Sequence, residues 1–271
     1  MSRPAIAKDL VITVGRALKM PGLVRIFEAL ARQAREEHWS HEEYLHEVLR
    51  AEEISRRDSA VRQRIRDAHF PETKTLDTFD FTSTDGVSAT QIAELARGDW
   101  IGRGENIIFA GPIGTGKTHL AIALGVEAAR QRRRVLFQRA ADLVRVLLEA
   151  RDQRELSRLH RRYQYVELLI VDELGFVPFD RAGGELLFNL LTERYERRSV
   201  VVTTNLHFAE WVKVFGGDEK LTTALLDRLA HHATVIATKG KSYRMKKRGA
   251  TAEEKQPDTT PLTLPKPGRK G

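Results

Sequence analysis

Residues 106–118 read NIIFAGPIGTGKT, and this stretch decides the fold of the 271-residue chain. Its first five residues form a short apolar run of strand type, and a glycine-rich loop follows at once. Behind the loop, the run HLAIALGVEAAR places apolar residues at helical spacing. Strand, loop and helix in this order are the context in which a G-x-x-x-x-G-K-[ST] motif binds phosphates. The sequence therefore predicts a phosphate-binding loop (P-loop) rather than a plain glycine-rich turn with a surface lysine.

The P-loop is expected to bind a nucleotide mainly through backbone N–H groups. Its glycines let successive N–H groups turn inward without a Cβ clash, and the helix that begins there adds its positive dipole end. Lys117 would reach the β- and γ-phosphates, and the Thr118 hydroxyl would bind Mg²⁺. The predicted ATP-binding residues are Gly111, Pro112, Ile113, Gly114, Thr115, Gly116, Lys117, Thr118 and His119.

A second part of the site is predicted where the apolar run LLIV (168–171) ends in Asp172 and Glu173. Carboxylates at the C-terminal end of a central parallel strand lie where such sheets bind ligands. Asp172 would support the magnesium ion and its waters, and Glu173 would act as general base on the attacking water. Asn205 ends another apolar run and could reach the water or the γ-phosphate, although asparagine often simply starts a turn.

The second half of the chain alternates strand-like and helical patterns. This alternation predicts an α/β fold with a parallel five-stranded sheet flanked by helices. The predicted strands are 106–110, 134–139, 168–172, 200–204 and 234–237, and the predicted helices are 88–97, 118–131, 140–149, 152–162, 184–197 and 219–229.

Four regions are predicted from changes in composition and periodicity. Residues 1–70 are expected to form a small all-α domain that binds a partner or DNA, and 71–87 a linker that lies partly against the next domain. Residues 88–245 would form the ATPase domain, and 246–271 a disordered basic tail. The arginines of the first region form either a basic flank or a solvated face paired with glutamates, and the sequence leaves both open.

Composition limits the classes of function. The net charge of +8 indicates a polyanionic partner, most simply nucleic acid. The absence of cysteine excludes disulfides, Cys-ligated zinc and a cysteine nucleophile, and it fits a reducing cytosol. The chain has neither a membrane-length apolar run nor the apolar core of a signal peptide, so a cytoplasmic protein without membrane contact is expected.

Arginines are concentrated in 151–162, which contains Arg151, Arg154, Arg158, Arg161 and Arg162. In one continuous helix, residues 151, 154, 158 and 162 would share a face. Such a stripe suits a phosphate backbone, and we favour DNA over a plain solvated face. By contrast, Arg132–Arg134 are interpreted as a solvated turn, and the adjacent His231 and His232 as surface or packing residues rather than metal ligands.

Four segments together resemble the IstB-type ATP-binding helper proteins of bacterial insertion sequences, AAA+ ATPases related to the helicase loader DnaC and the initiator DnaA. The N-terminal pattern LVRIFEALARQA (23–34) is also similar, so the resemblance covers nearly everything except the tail. The four segments are GPIGTGKTHLAIALG (111–125), LLIVDELGFVPFD (168–180), ELLFNLLTERYERRSVVVTTN (185–205) and LLDRLAHHATVIATKGKSYR (225–244).

The resemblance implies roles that spacing does not reveal. It implies an AAA+ P-loop NTPase in which Asn205 is the sensor-1 residue and Arg228 an arginine finger offered to a neighbouring subunit. Arg244 would act as a sensor-2-like arginine, and 151–162 would be the helical insertion that faces DNA. The implied function is ATP-dependent assembly into a ring or helical homo-oligomer on duplex DNA, which remodels the DNA and stimulates a partner transposase.

Three rival interpretations stay open at this stage. A DnaC-like helicase loader would share the ATP site but use its N-terminal helices to grip a helicase. A small-molecule kinase would need an acceptor pocket and a lid. A DNA-binding scaffold with a decayed P-loop would not need the intact Lys117, Thr118, Asp172 and Glu173.

Overall fold

The computed structural model describes residues 3–240, 242 and 243, and the side chains from residue 7 onward. In that part of the chain the strands are β1 (Asn106–Ala110), β2 (Val135–Arg139), β3 (Leu168–Asp172), β4 (Ser199–Thr204) and β5 (Ala233–Ala237). The α-helices are α1 (Arg3–Ala17), α2 (Pro21–Glu36), α3 (His41–Asp67), α4 (Ala89–Ala96), α5 (Asp99–Gly102), α6 (Lys117–Arg130), α7 (Ala140–Asp152), α8 (Leu156–Gln164), α9 (Arg181–Arg194), α10 (Trp211–Val214) and α11 (Glu219–His231).

The sheet is parallel and has the strand order β2-β3-β4-β1-β5. All five predicted strands are confirmed, with bounds that differ by at most one residue. The strands β1, β3 and β4 are central and consist almost entirely of buried residues. This burial explains their unbroken apolar sequences, because helices cover both faces of the sheet.

Successive side chains of each strand point to opposite faces of the sheet and pack into two separate hydrophobic cores. Ile107 and Ile170 pack on one face against α6, whereas Ile108 and Leu169 pack on the other face with α7, α9 and α11. The predicted α/β architecture with a parallel five-stranded sheet is therefore confirmed. Because the strands run in parallel, their C-terminal ends form one common edge, at which the P-loop begins.

The N-terminal helices α2 and α3 pack side by side around a buried carboxylate. Glu52 is 4% exposed and accepts hydrogen bonds from the backbone N–H groups of Gly22 at 2.7 Å and Leu23 at 3.1 Å. Arg56 donates to its other oxygen at 2.7 Å. Glu52 thus binds the free N–H groups at the start of α2, a position where a negative charge is stabilising. A capping box formed by Ser40 and Glu43 begins α3.

The end of α3 is joined directly to the sheet. The carbonyl oxygen of Ala68 accepts a 2.8 Å hydrogen bond from the N–H of Phe137 in β2, and the Phe70 and Phe137 rings meet edge to face. The following segment 71–87 contains two short 3₁₀ helices and is anchored by Phe79, which is buried. Close packing therefore continues from α3 through this segment to the P-loop.

The predicted helix 152–162 is present as α8 (Leu156–Gln164), but its predicted start at residue 152 is wrong. Helix α7 ends at Asp152, and the backbone of Arg154 adopts a left-handed conformation with φ of +58°. Glu155 N–H donates to Ala150 O at 2.7 Å and Arg154 N–H to Arg151 O at 3.0 Å, the hydrogen bonds that close a helix C-terminus. Arg151 and Arg154 therefore lie outside α8, so the predicted four-arginine face does not exist.

Two further predictions concern the ends of the chain and the membrane. Arg244 and the predicted tail 246–271 lie outside the described residues. Among the helices that the structure describes, none combines the length and the apolar character needed to cross a bilayer.

Candidate functional site

The P-loop connects β1 to α6 and follows the conformation that its sequence predicts. Gly114 and Gly116 have φ of +81° and +86°, which residues with a Cβ rarely adopt. A Cβ on Gly116 would also lie only 2.5 Å from the ring of Phe79. The loop therefore requires glycine at this position both for its backbone and for its contact with the segment 71–87.

Lys117 lies folded over the loop. Its ammonium donates to the carbonyl oxygens of Gly111 at 2.7 Å and Pro112 at 2.6 Å. The Pro112 carbonyl also accepts from the Thr115 hydroxyl at 2.8 Å, and that hydroxyl shares a 2.6 Å hydrogen bond with Thr238. These contacts hold the lysine charge at the mouth of the loop and tie the loop to the residue that follows β5.

The P-loop helix and the acidic strand end meet at Asp172. The hydroxyls of Thr118 and Thr203 both donate to Oδ1 of Asp172, at 2.8 Å and 2.6 Å. The carboxylate is 3% exposed. A threonine hydroxyl beside a carboxylate at a phosphate-binding loop is the oxygen set that a nucleotide-bound magnesium ion prefers. The residues present therefore fit such an ion.

Glu173 stands next to this pair with a different exposure. Its backbone has φ of +58°, a conformation that strains a residue with a Cβ, and its N–H donates to the Thr203 hydroxyl at 2.9 Å. Its side chain is 50% exposed, and its Oε2 lies 3.8 Å from Nε of Arg139. Residues 172 and 139 are register partners in β3 and β2. Glu173 is thus an accessible carboxylate that lies close to Arg139 of the neighbouring strand β2.

A cavity of about 870 Å³ joins these groups, a volume within the range of small-molecule sites. Lys117, Thr118, Asp172 and Glu173 line one side of it, and residues of the segment 71–84 line the other. His119 belongs to this wall, because its Nε2 lies 2.9 Å from Thr75 O. Of the remaining P-loop residues, Ile113 is 62% exposed.

Asn205 follows the last residue of β4, between the P-loop strand and the acidic strand. The carbonyl of Thr204 accepts a 3.2 Å hydrogen bond from Gly111 N–H, so Asn205 is joined through the backbone to the start of the P-loop. The structure therefore places it at the same sheet edge as Lys117 and Glu173. Arg244, the other predicted sensor, is outside the described residues.

Arg228 lies at the opposite edge, where the strands begin. Its Nη1 donates to the Thr192 hydroxyl at 3.1 Å, and its guanidinium lies 5.1 Å from the centroid of the Phe188 ring. The next residue, Leu229, accepts a hydrogen bond from the side chain of Asn106 at the first position of β1. Arg228 is therefore separated from its own P-loop by the length of β1.

Two residues of the site were missed from the sequence. Thr203 binds both Asp172 and the backbone of Glu173, and Arg139 approaches the Glu173 carboxylate. A signal existed for each: both are polar residues at the C-terminal end of a predicted strand. Their contacts depend on which strands are neighbours, and this was not predicted.

Comparison with known proteins gives a family and a set of related folds. The family described as IstB-like ATP binding protein matches residues 13–251. An insertion sequence IS21 putative ATP-binding protein of Pseudomonas aeruginosa is 41% identical over 247 residues, which cover 91% of this chain and 92% of that protein.

Among solved structures, AMPPCP-bound DnaA from Aquifex aeolicus is similar with a TM-score of 0.53 and 21% identity, over 68% of this chain and 56% of that one. The DnaC helicase loader is similar with a TM-score of 0.50 and 22% identity, over 61% of this chain and 96% of that one. At these identities the likeness concerns the fold alone, which is an α/β P-loop NTPase fold.

Proposed function

This chain belongs to the family of IstB-like ATP-binding proteins, and from that premise we propose that it assembles on duplex DNA with ATP, remodels the DNA and stimulates a partner transposase. Its family and fold make it an ATPase of the AAA+ class. The observation that carries the proposal is the contact of Thr118 with Asp172, because it joins the phosphate-binding loop to the acidic strand end.

The chemistry proposed for the site follows from the positions of its own side chains. The P-loop N–H groups and Lys117 would hold the phosphates, which requires the lysine to exchange its carbonyl partners for phosphate oxygens. A magnesium ion held through Thr118 and Asp172 would neutralise charge on the β- and γ-phosphates. Glu173 is exposed enough to accept a proton from water, and Asn205 would orient that water.

Arg228 would complete the site of a neighbouring subunit. An arginine that stabilises the γ-phosphate in the transition state has to reach it, and Arg228 lies at the far edge of its own sheet. In an oligomer, this edge of one copy would face the P-loop edge of the next. ATP bound at the junction would then favour assembly, and hydrolysis would weaken it.

DNA is the proposed polyanionic partner. The chain carries 45 lysine and arginine residues against 37 acidic ones. Arg151, Arg154, Arg158, Arg161 and Arg162 are all exposed, although the turn at Arg154 divides them between two helices. Assembly would place such surfaces in a row along the phosphate backbone, which raises affinity through multiple contacts.

The direct test is ATP hydrolysis measured against protein concentration and duplex DNA. We expect hydrolysis per subunit to rise with both, and Lys117→Ala to abolish nucleotide binding. Glu173→Gln should keep ATP binding but lose hydrolysis. Hydrolysis that does not depend on protein concentration or on DNA would contradict the proposal.

The choice of protein partner distinguishes a transposition helper from the alternative, a helicase loader. Full-length protein bound to a non-hydrolysable ATP analogue is offered a transposase from the same insertion sequence or a hexameric replicative helicase. We expect capture of the transposase and stimulation of strand transfer. Capture of the helicase alone would favour the loader.

A further inference from the structure

Arginines from three separate turns meet at the edge where the strands begin. Arg132 and Arg134 precede β2, Arg161 and Arg162 are in the last turn of α8 before β3, and Arg197 and Arg198 precede β4. Because β2, β3 and β4 are neighbours about 4.8 Å apart, these turns lie side by side. We call this surface the edge patch. It surrounds Tyr165 and consists of six arginines: Arg132, Arg134, Arg161, Arg162, Arg197 and Arg198.

Contacts on the surface show that the three turns form one patch. Tyr165 is 66% exposed, and the guanidinium of Arg134 lies 5.9 Å from the centroid of its ring. Arg198 Nε donates to Gln164 O at 3.1 Å, which joins the turn before β4 to the end of α8. The aromatic ring and the carbonyl therefore pre-order two guanidinium groups that remain open to solvent.

The backbone of the patch is also ordered. Arg133 N–H donates to Ala128 O at 3.0 Å, which closes the end of α6, and Arg198 N–H donates to Arg194 O at 2.9 Å. Arg194 itself is buried and donates to the carbonyls of Tyr163 and Ser199. Binding at this edge would consequently order fewer groups than binding at a mobile loop.

Positive charge predominates at the edge patch, although the Glu167 carboxylate also interacts electrostatically with Arg198. Arg133 is the one arginine of these turns that pairs with an acid, Glu167, at 2.9 Å. Across the described residues, the six arginines of the edge patch form no ion pair with a carboxylate. By contrast, Arg151 pairs with Asp152 at 2.8 Å, and Arg158 with Glu155 at 3.7 Å.

We propose that the phosphate backbone of duplex DNA lies across the edge patch, and that this patch contributes more to DNA affinity than the turn formed by Arg151, Arg154 and Arg158. This proposal rests on the proposed DNA-binding function and identifies the part of the protein surface that would bind the DNA. Duplex DNA presents about one charge per 1.7 Å of its axis, so several phosphates face three adjacent turns at once. Guanidinium groups suit this contact because they donate in a planar fork.

The edge patch also adjoins the arginine proposed to act on a neighbouring subunit. Arg198 and Arg228 line the same small cavity between α9 and α11. DNA on the patch would therefore lie close to the helix that carries Arg228, whereas the P-loop opens at the opposite edge. DNA bound to the edge patch would thus lie near the subunit junction and would not contact the nucleotide of the same subunit.

Two matched triple variants test the proposal. One replaces Arg134, Arg162 and Arg198 by alanine, and the control replaces Arg151, Arg154 and Arg158. Binding to a fluorescent duplex is measured by anisotropy with a non-hydrolysable ATP analogue over a series of salt concentrations. Melting temperature and nucleotide affinity are measured for both variants, and values equal to wild type establish that each is folded.

We expect the edge-patch variant to lose about tenfold or more in affinity, and its slope of log K against log salt to fall by about 2–3, one for each phosphate contact removed. The control is expected to lose less affinity than the edge-patch variant, because Arg151 and Arg158 are already paired with neighbouring carboxylates. An equal or larger loss in the control overturns the proposal while DNA binding as a function stands. A wild-type protein that does not bind duplex overturns both.

A pair of single variants supplies a second readout that does not remove charge. Tyr165→Phe keeps the ring beneath Arg134, whereas Tyr165→Ala removes it. We expect the alanine variant to weaken duplex binding several-fold and the phenylalanine variant to match wild type. Equal binding by all three proteins would contradict the role of Tyr165 in ordering Arg134.

Discussion

The hydroxyl of Thr203 donates a 2.6 Å hydrogen bond to Oδ1 of Asp172. The two residues are far apart in sequence and belong to the neighbouring strands β4 and β3. The same hydroxyl accepts from the backbone N–H of Glu173. One side chain thus positions both the carboxylate that would hold magnesium and the backbone of the residue that would act as base. Thr203 is a positioning residue, since Asp172 and Glu173 would make the contacts with magnesium and water.

Replacing Thr203 by valine is expected to lower kcat for ATP hydrolysis by about tenfold, because misplacing catalytic groups is costly even when binding persists. The affinity for ATP should change less than threefold, since the P-loop is untouched. The matched control is Thr204→Val, because the Thr204 hydroxyl accepts a hydrogen bond from the backbone N–H of Leu206 and not from Glu173. Equal kcat in wild type and Thr203→Val would show that Thr203 does not position the site.

Arg228→Ala is expected to lose most of its hydrolysis in the assembled state, because removing an arginine that acts on the γ-phosphate costs about a thousandfold or more. Mixing Arg228→Ala with Glu173→Gln should restore activity, since a mixed junction can combine an intact base with an intact arginine. The measurement is steady-state ATPase at a fixed total concentration and varying ratio. Arg145→Ala, an exposed arginine of α7, is the control. No recovery at any ratio would place Arg228 outside the neighbour's site.

Arg194 is a buried cation whose partners are backbone carbonyls. It is 3% exposed, and burial lowers its pKa to about 9. We expect Arg194→Met to reduce the free energy of unfolding by about 3 kcal/mol, because the carbonyls of Tyr163, Val166 and Ser199 would lose a shared donor. Thermal or urea unfolding measures this loss. Arg181→Met, at an exposed ion pair, should change stability by less than about 0.5 kcal/mol.

Glu52 gives a pH-dependent prediction. Burial tends to raise the pKa of its carboxyl, but hydrogen bonds from Arg56, Leu23 and Gly22 outweigh burial and hold it below its usual value. A carboxyl whose pKa is lower in the folded state stabilises the fold above its unfolded pKa and loses that effect as pH falls. Glu52→Gln should therefore cost about 1–2 kcal/mol at neutral pH and progressively less below the unfolded value.

Urea unfolding at several pH values, compared between wild type and Glu52→Gln, tests this expectation. The neighbouring residue Glu53 is exposed, so Glu53→Gln serves as the control and should show little difference at any pH. A stability difference for Glu52→Gln that stays constant from neutral to acidic pH would contradict the stabilising charge.

Local patterns were sufficient for the sheet and the P-loop, because unbroken apolar runs and a spaced glycine motif are properties of short stretches. The helix stop at Arg154 could not be predicted in the same way. It uses a left-handed conformation at a residue other than glycine, and the sequence carries no sign of it. The burial of Arg194 was equally hidden, since arginine is mostly exposed in proteins.

The functional surfaces depend on strand order, and strand order is a property of the whole chain. Arg134 and Arg198 are far apart in sequence and reach the adjacent residues Tyr165 and Gln164 only because β2, β3 and β4 are consecutive in the sheet. Thr203 reaches Asp172 for the same reason. The sequence therefore predicted the P-loop and the acidic strand end, whereas the residues that connect them required the structure.

Duplex binding measured as a function of both nucleotide and protein concentration tests the central proposal most directly. Anisotropy of a labelled duplex is recorded with no nucleotide, with ADP and with a non-hydrolysable ATP analogue, while light scattering reports assembly. We expect tight, cooperative binding with the ATP analogue alone, together with assembly. Equally tight, non-cooperative binding by single subunits without nucleotide would contradict it.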